Sequence, residues 1–171
     1  VGGSGALVGS TAQTLTITVT AAPALDPVAT TATSIITTAA DTSSATDVAV
    51  TAVKTVANTT IRAIIKVSPK NAAAVAATES YTALIKSGPG SLLNVDPSNS
   101  ISGTSAGARV LAAKSTQWIA VFSDGAAGVT TIEIQSKAGV VLATETLTFY
   151  GAATTATAKA LKSVIGVAAG S

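Results

Sequence analysis

Cysteine, histidine and methionine are absent from this 171-residue chain, and each absence closes off a kind of chemistry. Without Cys or His there is no soft-ligand site for zinc, copper or haem, no thiolate nucleophile and no imidazole base for a serine triad. No disulfide framework can form, so a secreted chain of this composition must draw its stability from hydrogen-bonded sheet and packing. Aromatics are scarce as well: Tyr81, Trp118, Phe122, Phe149 and Tyr150 are all there are. The core must therefore be built from Val, Ile, Leu and Ala, whose modest volume suits a thin two-sheet sandwich.

Charge is the next scarcity. Charged residues make up 11% of the chain, ten Lys and Arg against eight acids, and the net +2 is scattered without a basic stripe. Nucleic-acid binding, which needs clustered cations and usually aromatics to stack on bases, is set aside on that ground. Every apolar run is broken well short of the roughly 18 residues a membrane-crossing helix needs, so membrane insertion is not expected. The opening VGGSGALVGS has neither the cationic start nor the apolar stretch of a signal peptide. With no Met at position 1, we expect a processed chain or an excerpt of a longer one.

What is present is strand-and-turn sequence: short runs rich in Thr, Ser, Val and Ile, punctuated by Gly, Pro, Asn and Asp. Thr14 to Thr20 (TLTITVT) alternates strictly, putting Leu15, Ile17 and Val19 on one face and threonines on the other, the pattern of a half-buried edge or outer strand. Similar alternation at Asp47 to Val53, Thr60 to Val67, Trp118 to Phe122, Val129 to Ile134 and Val141 to Phe149 brings the expected strands to six or more. Turn signals fall at Ser68-Pro69-Lys70-Asn71, Gly88-Pro89-Gly90, Asp96-Pro97-Ser98-Asn99, Ser123-Asp124-Gly125 and Lys137-Ala138-Gly139. No long amphipathic helix separates these strands, so antiparallel hairpins are expected in place of βαβ crossovers. One stretch departs from the pattern. Alanines in NAAAVAATESYTALI, Asn71 to Ile85, favour a helix that Asn71 would cap, while Ser80 to Ile85 alternates like a strand. A short helical or irregular insertion near 71–79, running into a strand, is the expectation there.

The two ends of the chain look alike. Thr14-Leu15-Thr16 falls on Thr146-Leu147-Thr148 at an offset of 132 residues (146 − 14), and Ser34 to Ala40 then falls on Ser163 to Ala169. A period of about 130 residues is one sandwich domain, far longer than the roughly 20–50 residues of a solenoid unit. The organisation expected is thus 1–22 as closing strands of a preceding repeat or an N-terminal pairing arm, 23–151 as a complete domain, and 152–171 as the first strand of a following repeat or a C-terminal arm.

Ser123 to Gly151 (SDGAAGVTTIEIQSKAGVVLATETLTFYG) resembles the closing strands of bacterial immunoglobulin-like domains strung in tandem on large cell-surface proteins. Ser80 to Val95 (SYTALIKSGPGSLLNV) is similar to the strand, Gly-Pro-Gly, strand passage at the centre of such domains. The resemblance covers most of Pro23 to Gly151 and implies an all-β, immunoglobulin-like antiparallel β-sandwich. The Ala-rich piece at Asn71 to Ala77 departs from the minimal domain, and the Cys pair and Cys-flanked Trp of antibody domains are missing.

The acids available for catalysis are Asp26, Asp41, Asp47, Glu79, Asp96, Asp124, Glu133 and Glu145. A two-carboxylate glycosidase needs a pair held in a cleft with aromatic platforms, and these acids sit mostly at turns, where Asp bonds its own backbone; no catalytic residue is assigned. Calcium is the ligand they suit best, through Asp26, Asp41, Asp47 and Asp96 in loops, but no EF-hand pattern occurs and solvated turn aspartates are the plainer reading, so no cofactor is assigned. Val1-Gly2-Gly3-Ser4-Gly5 and Gly103 to Gly107 lack the Lys-Ser/Thr of a phosphate loop, and Asn58-Thr59-Thr60 is only a formal glycosylation acceptor. Trp118 and Phe122, at period two, are expected to plug the space between two sheets.

These readings converge on a non-catalytic, extracellular structural protein: a tandem immunoglobulin-like segment of a cell-surface layer, adhesin or filament. Its partners would be neighbouring copies of the same domain in a homo-oligomer or polymer. Self-association is assigned to Leu15, Ile17 and Val19, because a sheet edge with so little charge is poorly defended against another chain. A virion structural subunit (phage decoration, tail or fibre protein) uses the same architecture, and a carbohydrate-binding module would require exposed aromatics.

Overall fold

Short runs rich in β-branched residues lie flat as pleated strands, and in a computed structural model of the chain nine strands form among the described residues. The structure describes residues 14–19, 26–152 and 156–159. In chain order the strands are β1 (Thr31–Thr38), β2 (Val50–Val53), β3 (Ala63–Lys70), β4 (Tyr81–Ser87), β5 (Ser91–Val95), β6 (Val110–Ala113), β7 (Trp118–Phe122), β8 (Gly128–Gln135) and β9 (Val141–Tyr150). They form a four-stranded sheet of order β1-β3-β7-β5 and a five-stranded sheet of order β2-β9-β8-β4-β6. The protein is an all-β sandwich. Its core holds Ile65 and Val67 of β3 and Ile119 and Val121 of β7 from one sheet, against Ile85, Ile132, Ile134, Leu147 and Phe149 from the other.

Most neighbours run antiparallel, as expected, but β2 runs parallel to β9 in the register Val50↔Leu147 to Val53↔Tyr150. After β1 in the first sheet the chain turns and is brought back beside Ile36, whose carbonyl accepts Val48 N–H at 3.0 Å, before it enters β2 in the second sheet. Gly88-Pro89-Gly90 turns no hairpin: it carries the chain from β4 in one sheet to β5 in the other.

No helix forms at 71–79. Asn71 Oδ1 accepts the N–H groups of Ala73 and Val75, as an N-cap would, at 3.1 and 3.0 Å. Asn71 N–H, however, donates to the Val75 carbonyl, Ala74 takes a left-handed φ of 60°, and Ala76 bridges back to Lys70. Closing this loop against β3 overrides the helix propensity of five alanines. The expected turn at Ser68 to Asn71 also starts later, since β3 runs on to Lys70 with Pro69 opposite Ala32. Proline is tolerated there because its carbonyl accepts Ala77 N–H on the side away from β1, where β7, paired only with Ala63–Ile65, does not reach.

Thr14–Val19 belongs to no strand, and Leu15, Ile17 and Val19 are 81, 75 and 89% exposed. The buried face expected of this segment needs a sheet edge, and no described residue of its own chain pairs with it. The opening Gly-rich piece at Val1 to Gly5 and the matching stretch at Ser163 to Ala169 lie outside the described residues.

Trp118 and Phe122 share a face of β7, but it is the wrong face for a plug between sheets. With Ile64, Val95 and Ala120 they build a second apolar cluster on the outer side of the four-stranded sheet, against which Ile61, Leu93 and Ile101 pack. Lys66 Nζ stands 5.7 Å from the centre of the Trp118 ring. The plug between the sheets is Tyr81 and Phe149, and Tyr81 OH donates to the Gln117 carbonyl at 2.6 Å. A buried tyrosine hydroxyl needs such a partner, and burial pushes this phenol well above its ordinary pKa.

Candidate functional site

Bond geometry at the Gly88-Pro89-Gly90 corner creates a polar concavity. The corner exposes its carbonyls, and each finds a donor. Arg109 gives one guanidinium nitrogen to Gly88 O at 2.8 Å and another to Gly90 O at 3.2 Å, and Thr130 Oγ1 donates to Pro89 O at 2.6 Å. Gly88 has a φ of 85°, and a Cβ there would lie 2.0 Å from the Val129 carbonyl oxygen, so only glycine fits. Gly90 N–H donates to Asp124 Oδ2 at 2.7 Å, tying the corner to the end of β7.

Beside the corner lies a cleft of about 220 Å³ lined by Asn58, Ser91, Ser105, Arg109, Ser123 and Asp124, with Val56 at its rim. Ser105 N–H donates to the Asn58 carbonyl at 2.8 Å, joining the two loops that wall it. Ser91 Oγ and Ser105 Oγ, both buried, are 2.6 Å apart. Only one of their protons can lie between the two oxygens. Gly107 N–H also donates to Ser105 Oγ, so the remaining hydroxyl proton of the pair has no acceptor among the described residues. Ser123 Oγ donates to the Lys54 carbonyl at 2.6 Å.

Burial pushes the Asp124 carboxyl up, but N–H groups of Gly90 and Ala126, its own backbone N–H and the Arg109 charge outweigh that and hold it below the ordinary carboxylate range. A general base must reach the hydroxyl it deprotonates. Asp124 instead spends its oxygens on the N–H groups of Gly90 and Ala126, and none of the three cleft hydroxyls bonds to it. The cleft can therefore donate and accept hydrogen bonds but lacks an activated nucleophile.

The acids named from sequence are dispersed. Asp26 Oδ1 accepts Val28 N–H, Asp41 Oδ1 accepts Ser43 and Ser44 N–H, Asp47 Oδ1 accepts Ile36 N–H, and Asp96 Oδ1 accepts Ser98 N–H. These bonds lower the Asp41 and Asp96 carboxyls, through the Ser44 and Ser43 N–H groups for the first and the Ser98 hydroxyl and N–H for the second. Among the described residues no three acids come together as a metal site. Glu79 Oε2 accepts Ala29 N–H, and Glu133 pairs with Lys86 at 3.5 Å. Glu145 points inward from β9: burial pushes its carboxyl up, the Ser34 hydroxyl draws it back, and the Asp47 charge adds to the rise. Of the residues singled out in the sequence, Asn58, Ser105, Ser123 and Asp124 meet at the cleft, joined there by Ser91 and Arg109. Nothing in their local sequence marks them, because the sheet crossing at Gly88 to Gly90 is what assembles them.

Compared with protein-family models, curated proteins and solved structures, the chain matches none.

Proposed function

We propose that this chain is a non-catalytic structural module, an immunoglobulin-like segment of a repeat-built extracellular layer, adhesin or filament, working through packing and strand-mediated self-association. The observation that carries the reading is the Thr14–Val19 segment, whose aliphatic face lies exposed and which joins no sheet among the described residues. An alternating, uncharged strand without a sheet is a liability in a monomer and useful in an assembly.

Strand order lends support. With β1, β3, β5 and β7 read as strands A, B, D and E, and β4, β8 and β9 as C, F and G, the sheets reproduce the ABED and CFG orders of the immunoglobulin sandwich. The departures are β2, which flanks β9, and β6, which flanks β4 but follows β5 in the chain. Carbohydrate binding gains nothing from the aromatics: Tyr81, Phe122 and Phe149 are buried, Trp118 lies under Lys66, and only Tyr150 is substantially exposed.

The denatured mass of the native polypeptide that contains this sequence tests the repeat. Many times 16.5 kDa is the expected result; a mass near 16.5 kDa would replace the tandem array with a self-contained subunit of a particle.

A further inference from the structure

We infer that the Thr14–Val19 arm of one copy pairs with the free edge of β6 in a second copy, adding a sixth strand to the five-stranded sheet. The inference rests on the self-association reading above and names its two surfaces.

The arm has the pattern of that sheet. Thr14-Leu15-Thr16 repeats Thr146-Leu147-Thr148 of β9, where Leu147 is 2% exposed in the core and Thr146 stands on the outer face. Laid on an edge of the same sheet, Leu15, Ile17 and Val19 would continue the dry face and the threonines the wet one.

The sheet has two edges, β2 and β6. On β2 the inward Val50 and Ala52 are already buried, so a further strand there covers little. On β6 the inward Leu111 is only half-buried and the outward Val110 is 56% exposed, leaving apolar surface to cover. Backbone direction agrees. Ile85 N–H donates to the Arg109 carbonyl at 2.8 Å, so in the antiparallel β4–β6 ladder residues 109, 111 and 113 turn their polar groups toward β4. Val110 and Ala112 therefore present N–H and C=O outward, and no described residue bonds them. Residues 110–113 (VLAA) contain no charge and no proline, and neither does the arm, so no repulsion or missing donor opposes the pairing.

The root of the arm sits at the right end. Glu79 N–H donates to the Pro27 carbonyl at 3.0 Å, and Ser115 Oγ, two residues beyond β6, donates to the Thr78 carbonyl at 3.4 Å. Seven residue steps (26 − 19) join Val19 to Asp26, a reach of at most about 25 Å, enough for two copies to exchange arms.

Sedimentation equilibrium of the full chain over a concentration series, with Ile17→Lys and Ala112→Pro beside it, tests the pairing. The wild type should dimerise, and each variant should weaken the dimer at least about tenfold, from the lost burial of one aliphatic residue or of one edge donor. Thermal midpoints at low concentration should stay within a few degrees of wild type, because Ala112 N–H is not part of the β4 ladder. Ile17→Lys lies on the exposed arm and cannot unfold the sandwich, so the test survives if Ala112→Pro does. A dimer that persists in both variants overturns the β6 edge and leaves self-association standing. A wild type that is monomeric throughout overturns both. Amides of 14–19 that exchange slowly in the monomer, and fast in Ala112→Pro, would mean that the arm folds onto its own β6, which also overturns the inference.

Discussion

The two sheets each turn one face away from the core, and the chain treats these faces in opposite ways. Outside the four-stranded sheet, loops from 54–62 and 96–107 close over Ile64, Ala120 and Phe122, so that β7 is buried on both sides. Outside the five-stranded sheet no loop among the described residues comparably covers Thr51, Thr144, Thr146, Val129 and Tyr150, which are all exposed. Registers set Thr51 beside Thr148, Thr148 beside Val129 and Thr131 beside Thr146, giving a neutral face of β-branched residues whose one ion pair is Lys86–Glu133 among the described residues. The lesson concerns alternation. It reports burial only for strands with one wet face; a strand covered twice reads as a continuous apolar run, and WIAVF at β7 is such a run.

The largest effect separates the faces outright. Phe122→Ala, under the loops, should cost about 3–5 kcal/mol in denaturant unfolding, whereas Thr146→Ala on the bare face should cost no more than about 1 kcal/mol. Equal costs would mean that the bare face is covered too. Next comes the corner that joins the sheets. Gly88→Ala combines a left-handed backbone with a Cβ 2.0 Å from the Val129 carbonyl oxygen. It should lower stability by about 1–3 kcal/mol in the same assay, and a neutral result would dismiss the corner as a constraint.

The smallest effect sharpens the contrast between the two sides of β9, whose outer face is threonine and whose inner face carries Glu145. Because the folded carboxyl is raised above its ordinary value, its contribution to stability is fully present at low pH. That contribution is lost as pH rises from the ordinary glutamate range through the folded value. The thermal midpoint of the wild type should fall across that window relative to Glu145→Gln, which keeps the shape without the titration. Parallel profiles for the two proteins would show that the carboxyl is solvated in the fold.

Much of the strand content is legible because period-two alternation is local: β8 extends the expected Val129 to Ile134 by one residue at each end and β9 the expected Val141 to Phe149 by Tyr150 alone, while Trp118 to Phe122 is β7 residue for residue although it is a continuous apolar run. β1 and β6 were not read as strands. TATSIITT and VLAA have no clean alternation, and they become strands by docking on β3 and β4. The Asn71 loop misled for the converse reason, since alanine propensity is weak beside the closure of a loop on its own sheet. Of the cleft, Asp124 and Asn58 were visible as a turn residue and a glycosylation tripeptide, but not as neighbours.

The amino-acid sequence alone determined the class of structure and the chemistry left out of it. β-Branched residues in short runs make sheet, five aromatics leave most of the core to aliphatic side chains, and a chain without His or Cys has no imidazole or thiolate to work with. Tertiary structure decided which strands share a sheet, which apolar face is inner and which outer, and that β2 runs parallel to β9. It alone brought Gly90 to Asp124 across 34 residues and Ser123 to Lys54 across 69. Such choices rest on long-range backbone hydrogen bonds and buried area, which depend on every strand at once and leave no mark in the spacing of neighbouring residues.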